Sequence, residues 1–308
     1  MVVRPHTVKA LDQQWYAVGI AIAMVSVATP CGRYARHPMI KRLRFEGAID
    51  PWGLMMRGLK DRIFVVAGGG SGIGAATAQR LAEEGARVVI GDLSAANAQQ
   101  VAARLESVGA RALGIAFDMT AEDSVRALIA AAVEHFGGLD GVHVNAADIA
   151  ILQSDTDAET LSMEVFDRTL AVNLRGHLLC VRHALPALLK RGGGSFVFTS
   201  SAAAFMGEPE RLAYSVSKNG LHAIVRHVAS RWGKQGVRAN AVAPGLVTTD
   251  PERHPMTEEQ RAAVLGITRS TRLGEPRDIA AAVAFLMSDD GEWINGQVMS
   301  VDGGVTMR

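Results

Sequence analysis

The 308-residue chain is predicted to be an α/β protein, a doubly wound parallel sheet with helices on both faces in three α/β/α layers. Three observations predict this. From Arg62 onward, short β-rich runs alternate with helix-length runs, the pattern of successive βαβ units. A glycine-rich turn, Gly68-Gly69-Gly70-Ser71-Gly72-Ile73-Gly74, follows the first run at once. No internal repeat and no linker composition breaks the alternation after residue 58, so residues 58–308 are expected to form a single domain.

The elements are read in order. Arg62–Ala67 is a β-rich strand. The helix opening at Gly72 carries Ala and Leu at core spacing and stops at Gly85, a residue suited to the left-handed position after a helix. Arg87–Gly91 is the second strand, ending in Asp92, and an Ala/Gln helix follows as far as Gly109. The third strand, Ala112–Phe117, ends at Asp118. Thr120 with Asp123 is expected to cap a helix running to Phe136. Val142–Asn145 is the fourth strand. Long helices over Met163–Lys190 and Ala213–Lys234 flank a strand at Ser195–Thr199. Arg238–Ala243, a loop-and-helix insertion at Thr248–Arg272, a helix opened by Pro276 and a strand at Gln297–Val301 complete the sheet.

Composition narrows the function classes. With 48% hydrophobic and 20% charged residues the chain can bury a large core. The net charge of +1 gives no global field for nucleic acid or an anionic membrane. Cys31 and Cys180 are the two cysteines, which fits a reducing, cytoplasmic setting without a disulfide framework. The nine histidines pair with no Asp, Glu or Cys in a metal-site pattern, so no metal is expected and they are read as solvated or packed.

Residues 1–57 do not match the rest. Trp15–Ala28 is an apolar run too short for a membrane span, which takes about 20 residues, so no span is expected. Arg4 and Lys9 before it, with the small residues Ser26 and Ala28 at a plausible cleavage site, give it the look of a signal-peptide core. Against this stand the long preceding stretch, Asp12 and the lack of a twin arginine. Three alternatives stay open: a non-native leader with the true start at Met55 or Met56, a disordered or loosely docked extension, and a targeting segment.

The chemistry-bearing residues lie downstream. Tyr214 and Lys218 are four apart, so on a helix they lie one above the other. An ammonium so placed favours the phenolate and draws the phenol's pKa towards working pH. Ser201, thirteen residues upstream, can hydrogen-bond the same substrate oxygen, with its neighbour Ser200 as the rival assignment. Tyr-x-x-x-Lys alone is a weak signal; joined in order to an upstream serine and the glycine turn it is a strong one.

In these residues the chain resembles the short-chain dehydrogenase/reductases, single-domain Rossmann-type enzymes that use a nicotinamide cofactor. The resemblance runs from about Gly58 to Arg308. It rests on Gly68-x-x-x-Gly72-Ile73-Gly74, Asp118, Asn145-Ala146, Asn173, Ser201, Tyr214-x-x-x-Lys218, Pro244-Gly245 and Val301-Asp302-Gly303-Gly304. It implies that Tyr214 is the acid/base, that Lys218 lowers its pKa and holds the nicotinamide ribose, that Ser201 polarises the substrate oxygen, and that Asn173 anchors a water in the proton path.

The cofactor half reads as follows. A glycine turn between strand and helix sets backbone N–H groups and the helix's positive end against a pyrophosphate, with Gly68, Ser71, Gly72, Ile73 and Gly74 in contact. Ala67 stands where the family usually has Thr, which removes a hydroxyl that would tie the turn. Asp92 ends the second strand, where a carboxylate accepts from ribose hydroxyls and repels a 2′-phosphate; Leu93 follows it with no basic residue, so NAD(H) is favoured over NADP(H). The resemblance places Asp118 and Met119 at the adenine, Asn145 at the ribose–nicotinamide pocket, and Val247 and Thr249 at the nicotinamide amide. Val144 and Ala147 depart from the usual Asn-Asn-Ala-Gly.

The leading expectation is an NAD-dependent oxidoreductase acting on a secondary alcohol or ketone. A 3-oxoacyl thioester reductase is the alternative within enzymes, and a catalytically silent nucleotide-binding protein the alternative outside them. Ile149–Thr160, Ala202–Leu212 and Thr248–Arg272 hold the substrate determinants, and Ile151, Leu152, Phe205 and Met206 among them suggest a hydrophobic substrate. The resemblance also implies packing of the two long helices against a second subunit, in a homotetramer or else a homodimer.

Overall fold

The computed structural model describes residues 55–249 and 256–307. Cys31 and the apolar run Trp15–Ala28, on which the leader and targeting expectations rest, lie outside the described residues.

Seven parallel strands form one sheet: β1 (Ile63–Ala67), β2 (Arg87–Asp92), β3 (Arg111–Ala116), β4 (Gly141–Val144), β5 (Gly194–Thr199), β6 (Val237–Pro244) and β7 (Val298–Val301). Their spatial order is β3-β2-β1-β4-β5-β6-β7. The chain winds outward from β1 to β3, returns to β4 beside β1, and then winds the other way. The carboxyl ends of β1 and β4 flank the switch point where ligands of such sheets bind.

The described residues hold eight α-helices: α1 (Gly72–Glu83), α2 (Ala95–Ser107), α3 (Glu122–Phe136), α4 (Met163–Leu170), α5 (Gly176–Lys190), α6 (Leu212–Trp232), α7 (Glu258–Ile267) and α8 (Pro276–Met287). Successive strand residues point to opposite faces. Ile63 and Val65 therefore join Leu128, Leu179 and Val225 in one buried layer. Phe64 and Val66 join Leu81, Val101 and Val283 in the other. Both faces being buried explains why the strands read as continuous apolar runs rather than alternating ones.

Two local expectations are corrected. Thr120 does not cap α3: the helix starts after Ala121 with no side-chain cap, and the Thr120 hydroxyl donates instead to the Asp118 carboxylate at 2.7 Å. The Thr120 N–H, which a capping box would give to the side chain of Asp123, also goes to the Asp118 carboxylate, at 2.8 Å. The expected helix over Met163–Lys190 is interrupted between α4 and α5 by a π-helical segment, Ala171–Arg175, with Asn173 at its centre. A π-turn widens the helix by one residue, a device frequent at functional sites.

Candidate active site

The carboxyl ends of β1, β4, β5 and β6 bring most of the sequence-assigned residues to one edge. Gly68 adopts φ +87° directly after β1, and a Cβ there would lie 2.6 Å from the Ala146 backbone, so only glycine fits the turn. At Gly74 a Cβ would come within 1.9 Å of the Gly68 carbonyl oxygen, which shows how closely α1 returns onto β1. Ser71 is the N-cap of α1 but makes no side-chain cap, so the first turn of the helix is left to other partners. Thr249 lies over this turn, its side chain 3.1 Å from where a Gly72 Cβ would sit. Val247, beside it, bridges to Gly274.

The turn is tied without the hydroxyl that Ala67 lacks. The Asp92 carboxylate accepts from the Gly70 N–H at 2.8 Å through one oxygen and from the Ser94 N–H at 3.0 Å through the other. The Asn145 amide donates to the Gly68 carbonyl at 2.9 Å. Leu93 is exposed beside Asp92. Asp118 accepts from both the N–H and the hydroxyl of Thr120, and these bonds hold its pKa below the ordinary carboxylate value. The Met119 side chain is buried against Gly176, so that residue's side chain packs in the core rather than standing free at the edge.

A buried chain of hydrogen bonds joins the two halves. The Thr199 hydroxyl donates to Asn145 Oδ1 at 2.9 Å. Its single proton being so placed, the contact at 2.9 Å with His143 Nε2 requires the imidazole to be the donor. His143 is fully buried and burial lowers its pKa to about 3, so the ring is neutral, in keeping with that assignment. The Thr199 carbonyl accepts from Lys218 Nζ at 2.8 Å. Thr199 thus touches the residue that ties the glycine turn and the lysine of α6 at once.

Tyr214 and Lys218 do share one face of α6, with Lys218 Nζ 5.6 Å from the centre of the Tyr214 ring. The Ser201 side chain acts on the phenol and lowers its pKa, while Ser200 turns the other way, its hydroxyl 2.7 Å from His222 Nε2. Consecutive residues at the end of an extended strand face opposite sides, which separates the two serines. Burial raises the Tyr214 pKa above its ordinary value; Ser201 and, more weakly, Arg211 pull it down, and Glu208 pushes it up. The sequence expectation of a net lowering of this pKa by Lys218 is therefore not met, because desolvation outweighs the rest. Lys218 is itself 1% exposed, and burial brings its pKa down to about 7. Asn173, fully buried in the π-segment, accepts from the Asp148 N–H at 3.0 Å and keeps a side-chain N–H with no protein partner.

Three participants were not singled out from sequence. His143 had a signal, as a polar residue inside an apolar central strand must be hydrogen-bonded. Thr199 had only its place beside Ser200-Ser201. Asp155, whose carboxylate reaches the backbone of Tyr214, had none.

Comparison with known proteins gives consistent matches. A family model described as enoyl-(acyl carrier protein) reductase matches residues 67–306. The 7α-hydroxysteroid dehydrogenase of Bacteroides fragilis is 36% identical, over 82% of this chain and 97% of that protein. The cis-4-hydroxycyclohexanecarboxylate dehydrogenase of Sinomonas cyclohexanicum is 39% identical, over 80% of this chain and 97% of its own length. Among solved structures, a 7α-hydroxysteroid dehydrogenase complexed with NADH and 7-oxo glycochenodeoxycholic acid superposes with a TM-score of 0.75 at 30% identity, covering 80% of this chain and 94% of that one.

Proposed function

The chain belongs to the short-chain dehydrogenase/reductase family, and we propose that it interconverts a secondary alcohol and its ketone with NAD(H) as hydride partner. One observation carries the reading: a phenol under the influence of a serine hydroxyl, with a buried lysine 5.6 Å from its ring centre, stands at the strand ends that also hold the glycine turn. The named relatives act on ring alcohols, which is the class of substrate we assign here.

The site fits the dinucleotide. The α1 N-terminus has no side-chain cap, and the Gly68–Gly74 approach leaves room only for backbone. Each Asp92 oxygen accepts one N–H, which leaves a further lone pair on each for ribose hydroxyls and a charge that opposes a 2′-phosphate. Gly68, Ser71, Gly72, Ile73 and Gly74 would hold the pyrophosphate. Asp92 and Leu93 would meet the adenosine ribose, Asp118 and Met119 the adenine, and Asn145, Lys218, Val247 and Thr249 the nicotinamide half. The cofactor supplies the hydride, or takes it up.

The chain's own residues handle the proton. Ser201 holds the substrate oxygen and Tyr214 exchanges a proton with it. With its pKa raised by burial, the phenol is protonated at neutral pH and stands ready to donate to a ketone. Oxidation of the alcohol instead needs the phenolate to accept its proton, so alkaline conditions favour that direction. We assign Asn173 to anchoring a water that refills the proton site, using the side-chain N–H left over after its bond to Asp148.

Exposed apolar Ile149, Met206 and Leu212 on the flanking segments favour a small hydrophobic substrate. Among the described residues no helix is long and apolar enough to cross a membrane. The charge on Asp92 weighs against the thioester reductases that prefer NADPH, and retention of both Tyr214 and Lys218 weighs against a silent nucleotide binder.

NADH fluorescence and a panel of secondary alcohols and ketones test the reading. Tyr214→Phe is expected to lower kcat at least about a hundredfold while NADH still binds, since general acid–base catalysis contributes that factor or more. Retention of most of the rate would remove the phenol from the mechanism.

A further inference from the structure

Helix α6 carries Tyr214 and Lys218, yet its own first turn has nothing to stabilise it. The N-cap residue is Arg211, which makes no side-chain cap and sits in the left-handed region at φ 61°, ψ 42°; the first turn contains no acidic residue. Four N–H groups at a helix start lack intrahelical partners and must find others when buried. Here they are met by two residues 55 or more positions upstream. Arg211 N–H donates to the Asp155 carbonyl at 3.0 Å and Leu212 N–H to the Thr156 carbonyl at 3.4 Å. Ala213 N–H donates to Asp155 Oδ1 at 3.0 Å and Tyr214 N–H to Asp155 Oδ2 at 2.7 Å.

Asp155 is 3% exposed. A buried carboxylate is costly unless its oxygens are hydrogen-bonded, and both are filled by these two N–H groups. The charge also faces the positive end of a 21-residue helix, where an anion is stabilised. The cap is therefore delivered from a distant segment, and its shortest bond falls on the backbone of Tyr214 itself. Asp155 follows the turn Ala150–Ser154, which extends from Asn145 and Asp148 on the β4 side of the site. One carboxylate thereby locks the segment assigned to the substrate onto the backbone of the acid/base.

We propose that Asp155 is a positioning residue for the reaction: its carboxylate caps α6 from outside the helix and fixes where the Tyr214 phenol stands relative to Ser201. The proposal rests on the reading of Tyr214 as acid/base. A misplacement of about 1 Å in a reacting group costs on the order of a hundredfold in rate. Loss of the cap should appear in kcat and spare nucleotide binding, because no Asp155 bond reaches the glycine turn.

The test compares Asp155→Ala and Asp155→Asn in the full chain, with NAD and the alcohol best oxidised in the panel above. Asparagine keeps a capping oxygen and is about as good an N-cap as aspartate. For Asp155→Ala we expect a fall in kcat of at least about tenfold, with NADH affinity within about twofold of wild type, and for Asp155→Asn a recovery to within about threefold. Groups acting through one another are non-additive. Added to Tyr214→Phe, Asp155→Ala should thus lower the residual rate by less than about twofold. Amide hydrogen exchange over residues 212–216 gives a readout independent of turnover. It should speed up in Asp155→Ala and stay slow in Asp155→Asn.

Unchanged exchange in Asp155→Ala, or an Asp155→Asn variant as slow as Asp155→Ala, overturns the proposal. So does a loss of NADH affinity in step with kcat, or full additivity with Tyr214→Phe. If Tyr214→Phe alone keeps its rate, the acid/base reading fails instead, and the exchange data still decide whether Asp155 holds the helix. Should Asp155→Ala fail to fold, Asp155→Ser, with a shorter capping oxygen, takes its place in every comparison.

Discussion

Lys218→Met should abolish turnover and yet stabilise the protein at neutral pH. Lys218 is 1% exposed and its Nζ makes one hydrogen bond, to the Thr199 carbonyl. Burial brings its pKa from 10.5 to about 7. The unfolded chain then binds more protons than the folded one between those values, so stability rises with pH across that window. At about 1.36 kcal/mol per pH unit the full cost is about 5 kcal/mol below pH 7. At pH 7 it is about 4 kcal/mol, and at pH 10 about 1 kcal/mol. Methionine has a similar unbranched shape and no charge to desolvate. It leaves the Thr199 carbonyl without that donor, at about 1–3 kcal/mol. The variant should therefore be more stable than wild type by about 1–3 kcal/mol at pH 7, and equal or less stable at pH 10. Urea unfolding at fixed protein concentration, without nucleotide, measures both. A gap between the two proteins that does not move with pH would refute the argument, as would a methionine variant that is the weaker one at pH 7.

Three further outcomes are expected. Asp92→Asn combined with Leu93→Arg should lower the ratio of kcat/KM for NAD over NADP by about tenfold or more, the effect of about 1.4 kcal/mol of altered charge interaction; a wild type that already favours NADP would overturn the reading of Asp92. Removal of residues 1–54 should leave activity and unfolding midpoint unchanged, because the cut spares the Met56 N–H bond to Glu84 and the Arg57–Asp290 pair that fasten the start of the described segment; loss of either property would make the extension integral. Leu178, Val216 and Ala223 face outward on α5 and α6 while Val172, Leu179 and Val228 face the sheet, so we propose that the outward set packs on a second copy. Light scattering should give about four times 32.7 kDa, and a mass of one chain would refute it.

How much of this was legible in the sequence depends on the range of the interactions involved. Strand and helix periods, the glycine turn, the end of β2 at Asp92 and the shared face of Tyr214 and Lys218 are local properties, and the structure places them within a residue or two of the reading. The choice between Ser200 and Ser201 was half legible: spacing named Ser201, while the strand's alternation and His222 explain where Ser200 goes instead. The π-segment at Asn173 was hidden because its residues continue a helical pattern without Pro or Gly. Nor could spacing give the sign of the net shift at Tyr214, since adjacency to an ammonium is local and desolvation belongs to the whole fold.

Ala67 shows why departures from a motif need the structure before they are judged. Its missing hydroxyl leaves the glycine turn untied as far as the sequence shows. In the fold the tie comes from neighbouring strands, through Asp92 on the Gly70 N–H and Asn145 on the Gly68 carbonyl. Asn145 can play that part because Thr199 orients its amide, and Thr199 is in turn pinned by a neutral His143. The same Thr199 holds Lys218 through its carbonyl. The alanine at the turn is thus linked to the acid/base half through Asn145 and His143 at β4, Thr199 at the end of β5 and Lys218 on α6. Those bonds are long-range, so two of the side chains that brace the site, His143 and Thr199, lie outside every motif of the chain.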